Sequence, residues 1–380
     1  MIKIVSDNKI PFLRGALEDV ALVEYLPGAE ISRKHLMDAD ALITRTRTRC
    51  DRKLLEGTGI RFIASATIGY DHIDTAYCQN KGIRWTNAPG CNSSSVEQYM
   101  ISALLWLAVE RSLKLRDLTL GVVGVGNVGS KVARAAEALG MKVLLNDPPR
   151  QRAEGGDAFV SLEELQAGAD IISLHVPLNR GGLDNTFHLF DRDFLSSLKK
   201  GAVLINSSRG GVVDEQAVLD GIRLGRLSDV ILDVFESEPQ INLHLLDAIS
   251  LATPHVAGYS LDGKANGTTM SVRAVSRFFG LGLDHWVPAD IPQPESPEIL
   301  ADAASAEPTE LLWEIYSQTY DIGADDRRLR ADPGSFEALR GQYPFRREST
   351  AYAVRLFQGY PEIREILEHL GFDVLSDSCM

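Results

Sequence analysis

Over the first 280 residues, apolar positions fall in short β-type runs separated by stretches of helical period. Runs at 2–5, 41–44, 62–64 and 83–85 predict strands, and 32–37, 52–56 and 75–80 predict helices between them. Such alternation predicts a parallel α/β unit. Two of its strands run into polar turns, Thr44-Arg45-Thr46-Arg47-Thr48 and Ser65-Ala66-Thr67-Ile68-Gly69-Tyr70-Asp71. Ligands of open α/β sheets bind beyond the carboxyl ends of strands. The two turns are therefore candidate cradles for a carboxylate or phosphate, with a solvated loop as the alternative.

A buried helix is predicted at 95–111, capped by Asn92-Ser-Ser-Ser95. A strand at 118–123 follows, then Gly124-Val-Gly-Asn-Val-Gly129, a helix at 130–139, a strand at 142–146, and Asp147 at its end. Further strands are predicted at 170–175, 202–206, 229–234 and 249–252. Nearly every one ends in a polar residue and a Gly- or Pro-rich turn, which loads one sheet edge with chemistry. The helix predicted at 261–279 is expected to return to the first domain and make it discontinuous. Five of the sixteen prolines crowd into 288–308, which reads as a linker. Beyond it, helices near 310–320 and 362–370 and strands near 351–357 and 372–375 are expected. About seventy residues make a marginal core alone, so docking on a second subunit is expected, against the alternative of an appendage on its own chain. The expected organisation is a substrate-binding lid domain (1–92 and 256–285), an NAD-binding domain (93–255), a linker (286–308) and a dimerisation domain (309–380). The fold class is α/β, two Rossmann-like doubly wound parallel-sheet domains plus a small α+β C-terminal domain.

The glycine turn has a strand before it, a helix after it and an acid 18 residues past its last glycine, which makes it specific. Gly124 permits the tight turn, Gly126 lets a diphosphate approach the backbone, and Gly129 lets helix and strand pack closely. Asp147 suits the two ribose hydroxyls and would repel a 2′-phosphate, which points to NAD over NADP; Arg150 nearby pulls the other way.

Composition adds bounds. The 380 residues are 44% hydrophobic and 24% charged, with formal charge −13. That balance argues against nucleic-acid or anionic-membrane partners, yet leaves room for a small anionic substrate. Cys50, Cys78, Cys91 and Cys379 show no CxxC and no metal spacing, and read as reduced thiols of a cytoplasmic protein with no metal site. The N-terminus reads as a strand start rather than a signal peptide, and the most apolar run, 100–109, is too short to span a membrane.

A nicotinamide cofactor beside an alcohol calls for a base, a carboxylate to orient it and a cation for the substrate. Arg209, Glu238 and His255 each sit just past a predicted strand. The stretches Gly124–Gly129, His175-Val-Pro177, Asn206-Ser-Ser-Arg209-Gly-Gly-Val-Val-Asp-Glu215, Leu232-Asp-Val-Phe-Glu-Ser-Glu-Pro239 and Thr253-Pro-His255-Val-Ala-Gly258 resemble the D-isomer-specific 2-hydroxyacid dehydrogenases. The resemblance covers about residues 1–280. It implies that Arg209 binds substrate, that Glu238 orients the imidazole and that His255 is the acid/base. It also implies that Asp233 meets the nicotinamide amide, with Asn127, Val128, Val176, Pro177, Ser207, Ser208 and Gly258 lining the cofactor. Ala88-Pro-Gly-Cys-Asn92, Asp147-Pro-Pro149, Gly258-Tyr259-Ser-Leu-Asp-Gly263-Lys264 and the extra C-terminal domain resemble a branch acting on a small phosphorylated hydroxy acid. By that resemblance Thr46, Thr67 and Tyr259 contact substrate. Arg45 and Arg47 are candidates for the phosphate, and so is Arg346-Arg347, set against a solvated basic dipeptide. Alternatives are a D-3-phosphoglycerate or other D-2-hydroxyacid dehydrogenase and, in another class, a non-catalytic NAD(H)-sensing corepressor.

Overall fold

A computed structural model describes residues 1–302, 307–357 and 361–375; Cys379 lies outside the described residues. The chain divides into two compact units, 1–92 with 260–292, and 93–259 with 293–380.

The first unit is built on five parallel strands: β1 (Ile2–Asp7), β2 (Ala21–Leu26), β3 (Ala41–Thr44), β4 (Phe62–Ser65) and β5 (Arg84–Thr86), in the order β2-β1-β3-β4-β5. β3 and β4 are buried at every position, as strands covered on both faces must be. Leu36, Leu54, Leu55 and Cys78 cover one face. On the other lie Val272 and Val275 of the Leu261–Phe279 helix. That helix starts where Ser260 Oγ accepts from Gly263 N at 2.8 Å and stops at Gly280, in the left-handed conformation. Its Gly267 permits a close approach, since a Cβ there would lie 2.6 Å from Ala66 O.

The second unit carries six parallel strands: β6 (Thr119–Val123), β7 (Lys142–Asn146), β8 (Ile171–Leu174), β9 (Ala202–Asn206), β10 (Leu227–Leu232) and β11 (Leu251–Ala252), in the order β11-β10-β9-β8-β6-β7. The Ser93–Glu110 helix is buried at thirteen positions, among them Tyr99, Met100, Leu104 and Leu105. It is buried on nearly every face because protein covers it on more than one side.

One of those sides is the C-terminal segment. Leu311, Leu312, Ile315 and Tyr316 of the Pro308–Thr319 helix share a core with Tyr99 and Met100. Polar ties join the same elements: Ser95 Oγ donates to Glu348 Oε1 at 2.8 Å, and Gln98 Nε2 donates to Arg347 O at 3.0 Å. The segment therefore packs on its own chain. It also holds a third parallel sheet, β12 (Glu298–Asp302), β13 (Ala353–Phe357) and β14 (Asp373–Leu375). β12 falls inside the stretch expected to be a linker. Its Ile299 and Ala301 turn inward while Glu298, Leu300 and Asp302 turn outward. Proline crowding just upstream masks that period of two. The Ile322–Ala331 and Phe336–Gly341 helices, absent from the sequence reading, bring Leu329 and Phe336 into the core on the sheet's other face.

Among the described residues, no helix is long and apolar enough to cross a membrane. No group of His, Cys, Asp or Glu there is arranged to hold a metal ion.

Candidate active site

β6 runs into Gly124, whose φ of 87° is left-handed. A Cβ on it would lie 2.7 Å from His175 O, so only glycine fits between β6 and the turn after β8. Gly129 opens the Gly129–Ala138 helix, and a Cβ there would lie 2.0 Å from Gly124 O. At Gly126 a Cβ would meet nothing within 4 Å. Gly126 and Asn127 are exposed and Val128 is half-buried. The turn is thus closed beneath by two glycines and open above at the third, which fits a diphosphate laid across a helix N-terminus.

Asp147, at the end of β7, caps the Pro148–Glu154 helix by accepting from Arg150 N at 3.0 Å. Its other oxygen accepts from Val125 N at 2.8 Å, which ties it to the glycine turn. Arg150 is engaged elsewhere, with Glu154 at 2.6 Å and Val125 O at 2.6 Å. With the Asp147 carboxylate at the strand end and Arg150 turned to Glu154 and the Val125 carbonyl, the residues present fit NAD.

His175 follows β8 with its Nε2 2.6 Å from Ser173 Oγ. Burial of the ring pushes its pKa down to about 3, so the imidazole is neutral at ordinary pH. Val176 packs against Gly124, and Pro177 O accepts from Thr186 Oγ1. At the end of β9, Asn206 Oδ1 accepts from Ser208 N at 3.0 Å and Ser208 Oγ at 2.8 Å, while its Nδ2 donates to Arg209 O. Ser207 Oγ faces Met100 Sδ. This turn presents Arg209, which donates to Ser208 O at 2.7 Å.

Arg209 lies near the loop after β10, because a Cβ on Gly210 would overlap the Phe235 carbonyl at 2.0 Å. Phe235 N donates to Glu238 Oε1 at 2.9 Å, and Glu238 Oε2 takes His255 Nδ1 at 2.7 Å. His255 stands at φ 56°, a left-handed strain for a non-glycine residue. Asp233 holds the turn there: Oδ1 accepts from Val256 N at 2.7 Å and Thr253 Oγ1 at 2.6 Å, and Oδ2 from Ala257 N at 3.0 Å. Burial pushes the Asp233 carboxyl upward, against the pull of His255 and these donors. Gly258 and Tyr259 follow half-buried, with the Tyr259 ring edge-on to Tyr343 at 5.8 Å.

Arg45, Thr46 and Thr67 belong to the other unit. Arg45 Nε donates to Asp7 Oδ2 at 3.0 Å. Thr46 is exposed at the turn after β3. Thr67 Oγ1 donates to Gly69 O at 3.0 Å within its turn. The basic dipeptide Arg346-Arg347 is not solvated: the two residues are 4% and 8% exposed. Arg346 Nη2 donates to Ala257 O at 2.5 Å and Ser95 O at 3.2 Å, beneath the His255 turn. Sequence reasoning also missed Glu215, whose Oε1 accepts from Glu236 N at 2.9 Å and so steadies the Glu238 loop. Its place in the quoted Arg209–Glu215 stretch was the available signal.

An open glycine turn, an acid beside it and a His–Glu pair near an arginine are the parts of an NAD-dependent dehydrogenase. The description "D-isomer specific 2-hydroxyacid dehydrogenase, NAD binding domain" matches residues 97–257, and a domain of unknown function matches 291–371. An erythronate-4-phosphate dehydrogenase of Bacteroides fragilis is 51% identical, over 93% of this chain and 99% of that one. One from Pseudomonas putida is 41% identical, over 97% and 98%. Among solved structures, NAD-bound 3-phosphoglycerate dehydrogenase of Entamoeba histolytica aligns with TM-score 0.63 and 25% identity, over 77% of this chain and 99% of that one. D-Lactate dehydrogenase of Aquifex aeolicus with NAD and lactic acid gives 0.59 and 28%, over 74% and 96%. The chain belongs to the erythronate-4-phosphate dehydrogenase family, within the D-isomer-specific 2-hydroxyacid dehydrogenases, and is an NAD-dependent enzyme.

Proposed function

We propose that the enzyme oxidises 4-phospho-D-erythronate to (R)-3-hydroxy-2-oxo-4-phosphobutanoate in the de novo synthesis of pyridoxal phosphate. The observation that carries the reading is the 2.7 Å Glu238–His255 pair beside the Arg209 turn, in the unit that also carries the glycine turn. The names of the relatives supply the substrate.

When bound, NAD supplies the acceptor for the hydride that leaves C2. Glu238 accepts from Nδ1–H, which fixes the tautomer and leaves His255 Nε2 to take the hydroxyl proton. Arg209 holds the substrate carboxylate and draws charge toward the oxygen that becomes the carbonyl. Gly124, Gly126, Asn127, Val128 and Gly129 seat the diphosphate, and Asp147 takes the ribose. Val176, Pro177, Ser207, Ser208, Asp233 and Gly258 border the nicotinamide half. Thr46, Thr67 and Tyr259 serve the substrate, while Arg45, the fourth candidate, is held by Asp7.

The test is NADH formation from NAD and 4-phospho-D-erythronate, run beside 3-phospho-D-glycerate. Removing a general base costs about 10²- to 10⁴-fold, so His255→Gln should lose that much kcat while NAD affinity holds. Comparable kcat/KM on the two acids would remove the substrate assignment, and an active His255→Gln would remove the base.

The discontinuous lid domain and the C-terminal segment as a homodimer interface belong to the same reading. Leu300 (60% exposed) and Phe357 (41%) on the small sheet favour a partner there. A monomer at micromolar concentration in sedimentation would count against it. The buried thiols Cys50, Cys78 and Cys91 fit a cytoplasmic location, which fractionation of cells would check.

A further inference from the structure

A phosphorylated hydroxy acid brings two anionic ends, and the Arg209 guanidinium serves only the carboxylate. The sequence candidates for the other end are largely spent. Arg45 is paired with the buried Asp7. Arg346, only 4% exposed, is enclosed: it donates to two carbonyls and lies over the Tyr320 ring at 4.3 Å, and although its Nε and Nη1 have no partner among the described residues, they are buried.

Arg340 is differently placed. It sits on the Phe336–Gly341 helix, in the same unit as His255. Burial pulls its pKa down, and the neighbouring Tyr259, four residues past His255, and Glu238 raise it. Tyr343 braces Tyr259 from the side and is itself fixed by donating to Asp325 Oδ2 at 2.7 Å. The Arg340 side chain is only 22% exposed, and it pairs through Nη1 with Glu337 Oε1 at 3.1 Å. Glu337 is 46% exposed, so that pair is screened and weak. Nε is buried and has no hydrogen-bond partner among the described residues. A guanidinium offers five donors, and this one, half out of water beside the catalytic pair, is under-satisfied.

We propose that Arg340, with the Tyr259 hydroxyl, receives the phosphate of the substrate and so selects phosphorylated over plain hydroxy acids. This rests on the substrate reading above. A dianion there would complete the fork with charge-assisted hydrogen bonds. The C-terminal segment then contributes a binding residue to the catalytic unit it packs against.

The experiment compares kcat/KM for 4-phospho-D-erythronate and for D-erythronate in the wild type, Arg340→Gln and Arg340→Lys. Charged hydrogen bonds of this kind carry about 10- to 100-fold in affinity. The ratio of the two substrates should fall by that factor in Arg340→Gln and by less in Arg340→Lys, which keeps the charge and loses the fork. Inorganic phosphate should compete with substrate in the wild type and lose its grip in Arg340→Gln. Equal slowing on both substrates, or phosphate inhibition unchanged in the variant, overturns the proposal. A wild type inactive on 4-phospho-D-erythronate would instead overturn the substrate reading, and the inorganic phosphate measurement would still decide whether Arg340 holds an anion. If Arg340→Gln fails to fold, Arg340→Lys carries the same comparison.

Discussion

Two parallel sheets in this chain share a construction and differ at their crests. In each, the first strand lies inside the sheet and the chain winds outward in both directions, which leaves a switch point beside it: β1 next to β3, and β6 next to β8. At the first switch point the protein supplies its own anion and cation. β1 ends in Asp7, 1% exposed, which accepts from Lys9 N at 2.9 Å and from Arg45, the residue just after β3. At the second, the corresponding places hold Gly124, with no side chain, and His175, neutral. The first crevice is internally balanced. The second is left short of negative charge and open at Gly126. The same architecture is thus closed or made receptive by two residues per crest.

Emptying the first crest should cost most. Asp7→Ala removes the acceptor of Arg45 and of the Lys9 amide, and hydrogen bonds to a charged group carry up to about 3 kcal/mol. Urea unfolding of the variant should show that drop, and a change below about 0.5 kcal/mol would mean the pair is ornamental. Filling the second crest should do the reverse. A Cβ at Gly126 meets no protein atom within 4 Å, so in Gly126→Val the Tm should hardly move while the Kd for NAD rises about tenfold or more, equivalent to some 1.4 kcal/mol. Calorimetry reads both, and unchanged NAD affinity would separate the glycine turn from the cofactor.

The smallest effect concerns His175. The ring binds a proton near pH 6.5 when unfolded and only near 3 when folded. Between those values the unfolded chain carries the extra proton, so stability falls as pH drops through that window. From pH 7 to 6 this contributes about 0.7 kcal/mol. His175→Gln should flatten the acid side of the stability profile by that much, and an unaltered slope would mean the ring is not kept neutral by burial.

The two crests were also unequally legible. Gly124, Gly126, Gly129 and Asp147 announce themselves because their roles depend on spacing along a single strand-turn-helix-strand passage. Asp7 and Arg45 lie 38 residues apart, and their meeting depends on strand order, which periodicity does not supply. Arg209, Glu238 and His255 stood out because each follows a strand of one sheet. Arg340 did not, because Tyr259 and Glu238, the neighbours that give it a role, lie 81 and 102 residues before it in the chain. The helices at 322–331 and 336–341 were hidden by dense charge: Asp325 and Arg328 satisfy each other at 2.5 Å instead of forming an apolar stripe.

That distant pairing has a consequence for synthesis. The Ser93–Glu110 helix leaves the ribosome with Tyr99, Ser95, Gln98 and Ser102 facing contacts that are more than 200 residues from being made. Until residues near 316–348 emerge, its uncovered flank is an adhesive surface on a nascent chain. The C-terminal segment is therefore the one that hides what the first half leaves bare, and a product stalled or truncated before it should be a natural client for chaperones and proteases.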